Sequence, residues 1–575
     1  MHCYHVHRNV NDKTKNSVEG SCLKISSTIE VTRHVRVHTT LHTDKINAPT
    51  ANIIILGINT ECQRSTRLVF ISHYGFLVIA TAMTEQNSSD YYTAAVVEFS
   101  PTYHWRNPVL TLTKNTNAYI EYIKKASKLG ADIIVFPEDG LTSIHLPGKS
   151  QMNSWTTVIP SPVDEYIPCT GTDVNVSETL RRLSCAAREN RIYLVVNIAE
   201  KRLANYNDAC PSNETWHYHN TNVVFDRTGK IIARYRKVNL YMEAEFDKIE
   251  IPEIVTFDTD FGVKFGTFIC FDILFSVPPL SLTRIEGVSN IVYTTAWFSE
   301  TPFLTAIQTQ FGWSFAENVN LLVAGYHQPT IGTSGSGIYL GRNGIANATV
   351  ADDPKLLISR VPKTIKSTRA EVKQELMNEE KKNYEMEENI ARHETLYDKS
   401  IKEEVTPEWM KLLRDNVTSF KSILLNNDSM TETICHHNFC CDFKANMETI
   451  NNSSSTYYRA IVYNGVRLYG TQVQAGVRLC GLTQCLNESI SSCGSVSRSA
   501  TVFSALNVTA RFNDYAKMLI MPSVLDALLI PFEKWSYIEH ISGNEMNLTM
   551  VLNEPINNLV TFGIYARDFE KDKWN

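Results

Sequence analysis

A thiol, a carboxylate and an ammonium stand at the ends of three strand-like runs in this 575-residue chain. Cys270 follows Val263–Ile269, where an extended run should break into a turn. Glu138 comes just after Ile133-Ile-Val-Phe136, and Lys237 closes the run Ala233-Arg-Tyr-Arg236. Brought together, the three groups suit covalent amide hydrolysis. The carboxylate takes the thiol proton, the thiolate attacks the carbonyl carbon, and the ammonium helps hold the developing oxyanion. A free thiol has a pKa of about 8.5 and is mostly protonated at neutral pH, so the base has to act at the moment of attack. The Cys270–Phe271 turn should expose the Phe271 N–H as a second oxyanion donor, and water activated by Glu138 would then release the acyl group.

Taken singly, each residue has a plainer reading. Cys270 could be a small buried hydrophobe, Glu138 the first turn of a helix, and Lys237 part of a solvated edge. Their flanking residues argue otherwise. Ile133-Ile-Val-Phe-Pro-Glu-Asp-Gly140, Arg234-Tyr-Arg-Lys-Val-Asn-Leu-Tyr241 and Phe268-Ile-Cys-Phe-Asp-Ile-Leu-Phe275 resemble the Glu–Lys–Cys segments of the nitrilase (carbon–nitrogen hydrolase) superfamily, in order and separation. Glu253-Ile-Val-Thr-Phe257, Thr295-Ala-Trp297 and Gly335-Ser-Gly-Ile-Tyr339 are similar to the vanin and biotinidase branch. The likeness runs from about Tyr92 to the C-terminus. It implies Glu138 as general base, Lys237 as the oxyanion-side cation and Cys270 as nucleophile. A second glutamate near the lysine is common in the superfamily; Glu243 and Glu245 both qualify, with Glu243 preferred. Asp272 reads as a turn-stabilising residue, and Trp297 as either a substrate-facing or a core side chain.

These groups need a scaffold of strands and helices in alternation. Thr93–Phe99, Asp132–Phe136, Ile192–Ala199, Ile231–Tyr235 and Ile291–Thr295 read as strands, with a hairpin turn at Asp226-Arg-Thr-Gly229. Apolar spacing predicts helices over Ala118–Leu129, from the cap Ser177 to Glu189, and over Thr301–Val319. The class is α/β; the family resemblance makes it a four-layer αββα nitrilase sandwich, followed by a β-rich, disulfide-containing C-terminal domain of the vanin type. The expected divisions are a leader over 1–84, the catalytic domain over 92–362, a Glu/Lys-rich linker or helix over 363–405, and the C-terminal domain over 406–575. In that last part Tyr457–Tyr463, Arg467–Gln474 and Thr501–Phe503 read as short alternating strands.

Composition narrows the surroundings. Net charge −6 and a pI near 6.3 give no basic footprint for nucleic acid. The chemistry calls for no cofactor and no metal; His436 and His437 beside Cys435 lack a zinc-site spacing. The partner is a small-molecule amide substrate, and the oligomeric state is open. Residues 68–83, preceded by Arg64 and Arg67 and followed by Ala80-Thr-Ala82, resemble a secretory signal placed unusually far from Met1. Sequons at Asn87, Asn175, Asn213, Asn347, Asn416, Asn427, Asn451, Asn452, Asn487, Asn507 and Asn547 agree with an extracellular, glycosylated protein. No stable membrane span is expected, and the polar ending Arg567–Asn575 gives no expectation of a GPI anchor. Cys435, Cys440, Cys441, Cys480, Cys485 and Cys493 suggest three disulfides of open connectivity. Cys169 and Cys210 read as a further pair, and Cys185, on a face with Leu180, Leu183 and Ala187, as a buried thiol. The resemblance implies pantetheine or biotinyl-lysine as substrate; the alternative from another class is a catalytically silent binding protein on the same fold.

Overall fold

The computed structural model describes residues 89–173, 175–204, 216–365, 410–426, 428–449, 456–470 and 473–574, together with three short strands nearer the N-terminus. Those strands, Leu56–Gly57, Leu68–Ile71 and Leu77–Ala80, pair antiparallel within a separate unit, and the last two fall on the signal-like run. The rest of the 1–84 leader and nearly all of 363–405 lie outside the described residues, as do Asn87, Asn213, Asn427, Asn451 and Asn452.

Two six-stranded sheets are built from residues 91–362. In chain order the elements of the first are β1 (Tyr91–Glu98), α1 (Pro108–Lys128), β2 (Ile133–Val135), α2 (Glu178–Asn190), β3 (Tyr193–Leu203), β4 (Trp216–Phe225) and β5 (Ile231–Arg236). The second contains β6 (Thr256–Asp258), β7 (Lys264–Ile269), β8 (Asn290–Thr295), α3 (Ala306–Glu317), β9 (Asn320–Gly325), β10 (Ser336–Leu340) and β11 (Ile345–Thr349). Strand β12 (Lys355–Pro362) then returns to the edge of the first sheet beside β1, which runs β12-β1-β2-β3-β4-β5; the second runs β11-β10-β9-β8-β7-β6.

Alternation along each strand builds the layers. Ala95 and Val97 of β1 join α1 and α2 in one core, while Ala94 and Val96 face β7, β8 and β9 in another. Because both faces are covered, the strands read as unbroken apolar runs rather than alternating ones. The result is an αββα sandwich. Helix α3 carries an unbroken buried stretch, Ala306–Ser314, because its outer side packs on the C-terminal domain. Gly312 permits that approach: a Cβ there would lie 2.5 Å from the Pro522 carbonyl oxygen.

Two elements extend beyond the apolar pattern. Helix α1 begins at Pro108, capped by Asn107, ten residues ahead of the expected start. Its first turns bury Thr111, Asn115 and Thr116, with Asn115 bonded to Thr102 and the Leu141 carbonyl, so the apolar period is broken there. Strand β4 starts at Trp216 because its hidden residues, His219 to Asn222, are polar.

The C-terminal domain is two antiparallel sheets. One orders Lys421–Leu424, Tyr457–Tyr469, Val473–Cys485, Leu559–Asp568 and Met518–Asp526; the other orders Ser429–His436, Phe439–Thr449, Thr501–Asn513, Glu545–Leu552 and Trp535–Ser542. The strands are longer than expected, three of them 13 residues. Arg467–Gln474 is not one strand: it straddles a hairpin turn, ending one strand at Tyr469 and starting the next at Val473.

Six cysteines close the bridges Cys435–Cys440, Cys441–Cys480 and Cys485–Cys493. Cys435 thus has no free thiolate for a metal, and His436 Nδ1 accepts from the Asn464 N–H. The expectation for Cys185 is corrected, since it is bonded to Cys169 with Cα atoms 4.8 Å apart. Helix α2 lies under the loop at Cys169, where Ser184 Oγ takes the Cys169 N–H and Arg181 donates to the Pro168 carbonyl. Cys169 is therefore unavailable to Cys210, which lies outside the described residues. Among the described residues no helix is long and apolar enough to cross a membrane.

Candidate active site

Both sheets deliver groups to one place at their strand ends. Glu138 follows β2, Asn220 lies within β4 and Lys237 follows β5; from the second sheet come Cys270 after β7 and Ala296 after β8. Lys237 Nζ donates to Glu138 Oε1 at 2.7 Å, and Asn220 Nδ2 to the same oxygen at 2.9 Å. The Ala296 N–H donates to Glu138 Oε2 at 2.8 Å. Lys237 also donates to Glu243 Oε1, and Asn220 Nδ2 to Glu243 Oε2 at 2.9 Å. Of the two candidate glutamates, then, Glu243 holds the lysine. Glu138 and Lys237 are each only 2 % exposed.

Cys270 is the one free cysteine among the described residues, and it is buried. Its φ is +45°, a region that costs a non-glycine residue of the order of 1–3 kcal/mol. The turn is braced on both sides. Tyr293 OH donates to the Cys270 carbonyl at 2.9 Å. Asp272, fully buried, accepts from the Ile269 and Asn239 N–H groups, Asn239 Nδ2 and Tyr235 OH. Asp272 thereby ties the Cys270 turn to the segment that follows Lys237.

The charges set the resting protonation state. Burial works against the Lys237 ammonium, but Glu138 and Glu243 outweigh it and hold the pKa well above the lysine range. Burial, then the Glu138 charge, pushes the Cys270 thiol well up; Lys237 and a hydrogen bond with Thr295 pull the other way without prevailing. Burial likewise raises Glu243 and, with Glu138 adjacent, Asp139. The sulfur therefore rests as a thiol beside a fixed ammonium and a carboxylate, an arrangement that needs proton transfer for nucleophilic attack.

Phe271 and Trp297 are both buried in the hydrophobic core beside Cys270. Trp297 Nε1 donates to the Leu304 carbonyl at 2.9 Å, so its polar edge is engaged within the protein. The Phe271 ring packs against Tyr241, Phe275 and Tyr469. Several site residues carried no signal that was read from the sequence. Asn197 Nδ2 donates to Asn220 Oδ1 at 2.6 Å, and Asn222 links the sheets through Thr267 and Thr294. The polar run Asn220-Thr-Asn222 inside a strand was the available clue. Of the sequons among the described residues, Asn175, Asn416, Asn487 and Asn547 are exposed, while Asn347 and Asn507 are half-buried.

An αββα sandwich with a carboxylate, an ammonium and a thiol converging at its strand ends is the architecture of an amide-hydrolysing carbon–nitrogen hydrolase. Residues 93–309 match the carbon–nitrogen hydrolase family and residues 410–572 the vanin C-terminal domain. Vanin-like protein 1 of Drosophila melanogaster is 35% identical over 520 residues, covering 84% of this chain and 87% of that protein. Biotinidase of Takifugu rubripes is 31% identical, covering 79% of this chain and 88% of its own. Pantetheinase of Bos taurus is 40% identical, covering 43% of this chain and 48% of its own. An amidase structure from Nesterenkonia sp. aligns at a TM-score of 0.34 and 19% identity, covering 49% of this chain and 95% of that one. The chain belongs to the vanin and biotinidase branch of the carbon–nitrogen hydrolases.

Proposed function

We propose that the chain is a secreted amidase that cleaves a linear amide through a thioester on Cys270, with pantetheine as substrate and pantothenate and cysteamine as products. The observation that carries the reading is the cluster itself: a free, buried thiol within electrostatic reach of a Lys237 ammonium that Glu138 and Glu243 both bond. Glu138 takes the Cys270 proton as sulfur bonds to the carbonyl carbon, and Lys237 with the Phe271 N–H receives the oxyanion. Collapse of the tetrahedral adduct breaks the C–N bond, and Glu138 passes its proton to the leaving amine. Water, deprotonated by Glu138, attacks the thioester carbonyl; the C–S bond breaks, the thiolate takes that proton back from Glu138, and the carboxylic acid leaves and ionises in solvent. Glu243 and Asn220 keep Lys237 and Glu138 in register throughout.

The four disulfides among the described residues and the exposed sequons at Asn175, Asn416, Asn487 and Asn547 support secretion and glycosylation. A second reading, hydrolysis of biotinyl-lysine, is favoured by the biotinidase likeness, which extends over 79% of the chain. Purified protein incubated in parallel with pantetheine and biocytin, with Cys270→Ala as blank, tests both. Cysteamine release by wild type alone supports the proposal; free biotin with no cysteamine replaces it by the second reading; turnover by Cys270→Ala overturns the mechanism.

A further inference from the structure

The C-terminal domain reaches the active site at the tip of one hairpin, formed by Tyr457–Tyr469 and Val473–Cys485. The Tyr469 ring lies 5.7 Å from that of Phe271, the residue after the nucleophile, and Phe271 in turn packs 4.9 Å from Phe275. Tyr469 is buried, and its hydroxyl pairs with that of Tyr565 at 2.6 Å. Under the same ring the Arg467 guanidinium sits 5.1 Å from the centroid, held by Asp415 at 2.6 Å and Glu300 at 3.3 Å. A second cation from the C-terminal domain, Arg567, lies 5.6 Å from the Phe275 ring. Gly470, at φ +57°, abuts the Tyr241–Glu243 turn: a Cβ there would come within 3.1 Å of Met242 Cγ. That turn also matters to the site, because the Tyr241 N–H donates to Glu243 Oε1 at 3.1 Å.

One hairpin thus presses on the two segments that carry Cys270 and Glu243. Cys270 is held at an unfavourable φ, and such conformations persist only where surrounding packing over-determines them. Tyr293 and Asp272 brace the backbone through hydrogen bonds, whereas Tyr469 meets the buried ring of Phe271. We infer that Tyr469 is a positioning residue of the active site, through which the C-terminal domain fixes the Phe271 peptide as an oxyanion donor; this rests on the hydrolase mechanism proposed above. Arg467, stacked on the Tyr469 ring, connects it to the short strand Glu300–Thr301.

The test uses the full chain with Tyr469→Ala and Tyr469→Phe, on whichever amide the wild type hydrolyses. The readouts are kcat, KM, thermal unfolding, and the rate of Cys270 alkylation by iodoacetamide. Alkylation needs the thiolate but develops no oxyanion, so it separates donor placement from collapse of the site. Loss of a whole donor typically lowers kcat by roughly 10²–10³, and a misplaced one should lower it by about 10-fold or more in Tyr469→Ala. KM and the alkylation rate should stay within about twofold, and Tyr469→Phe, which keeps the ring, should recover most of kcat. Wild-type kcat in Tyr469→Ala overturns the inference, as does a parallel fall of alkylation and turnover, or a Tyr469→Phe variant as slow as Tyr469→Ala. A wild type that turns over neither amide counts instead against the proposed function.

Discussion

Glu138→Gln is the substitution whose consequences the hydrogen bonds define most closely. Glu138 accepts three bonds, from Lys237 and Asn220 on Oε1 and from the Ala296 N–H on Oε2. A glutamine supplies one accepting oxygen and one donating NH₂. With the oxygen toward Lys237, the NH₂ opposes the Ala296 N–H; flipped, it opposes both Lys237 and Asn220. In either orientation a buried donor loses its acceptor, which destabilises by about 1–3 kcal/mol. Lys237 keeps a single carboxylate, Glu243, so its raised pKa falls toward the ordinary range. Loss of a positioned general base lowers the rate by roughly 10²–10⁴. Steady-state kinetics and urea unfolding of the purified variant should therefore show both losses. Glu138→Gln with kcat within about tenfold of wild type would refute its role as base.

Further perturbations separate support from chemistry. Burial raises Asp272 to about 6; below that pH a proton would face the donors it now accepts, so kcat should fall as pH drops through about 6, read from a pH–rate profile. Its effect on stability has the opposite sign: a raised folded pKa contributes fully below the usual 3.8 and is lost as pH rises through about 6. The destabilisation caused by Asp272→Asn should thus be larger at about pH 4 than at about pH 7.5 in denaturant titrations, and a larger value at the higher pH would contradict the assignment. Cys185→Ser opens a bridge spanning 16 residues and should destabilise by about 3 kcal/mol, while activity per folded molecule stays within about twofold. Asn222→Leu breaks the link to Thr267 and Thr294 between the sheets and should lower stability by about 2–5 kcal/mol; unchanged unfolding would show the link to be dispensable.

The three candidate catalytic residues were legible because each ends a strand-like run, where the change from strand to turn marks a position in space as well as in sequence. Ser177 was legible as a helix cap for the same local reason, its side chain accepting from the Leu180 N–H. Polarity hid the neighbours. Strand β4 buries His219 to Asn222, so no apolar run marks Asn220, although it touches both Glu138 and Glu243. The Ala296 N–H has no side-chain signature at all. The Cys169–Cys185 bridge depends on how a loop folds over α2, which linear spacing does not report. The Arg467–Gln474 misreading has a similar origin, since alternating residues continue across the turn between two long strands. The contact of Tyr469 with Phe271 joins residues nearly two hundred positions apart and only the folded chain displays it.

Covalent trapping tests the central claim most directly. Protein quenched in acid during turnover, digested and analysed by mass should carry the acyl group on the peptide that contains Cys270. The Cys270→Ala variant should show neither adduct nor turnover. An adduct on another residue, or hydrolysis by Cys270→Ala at the wild-type rate, would contradict a mechanism that runs through that sulfur.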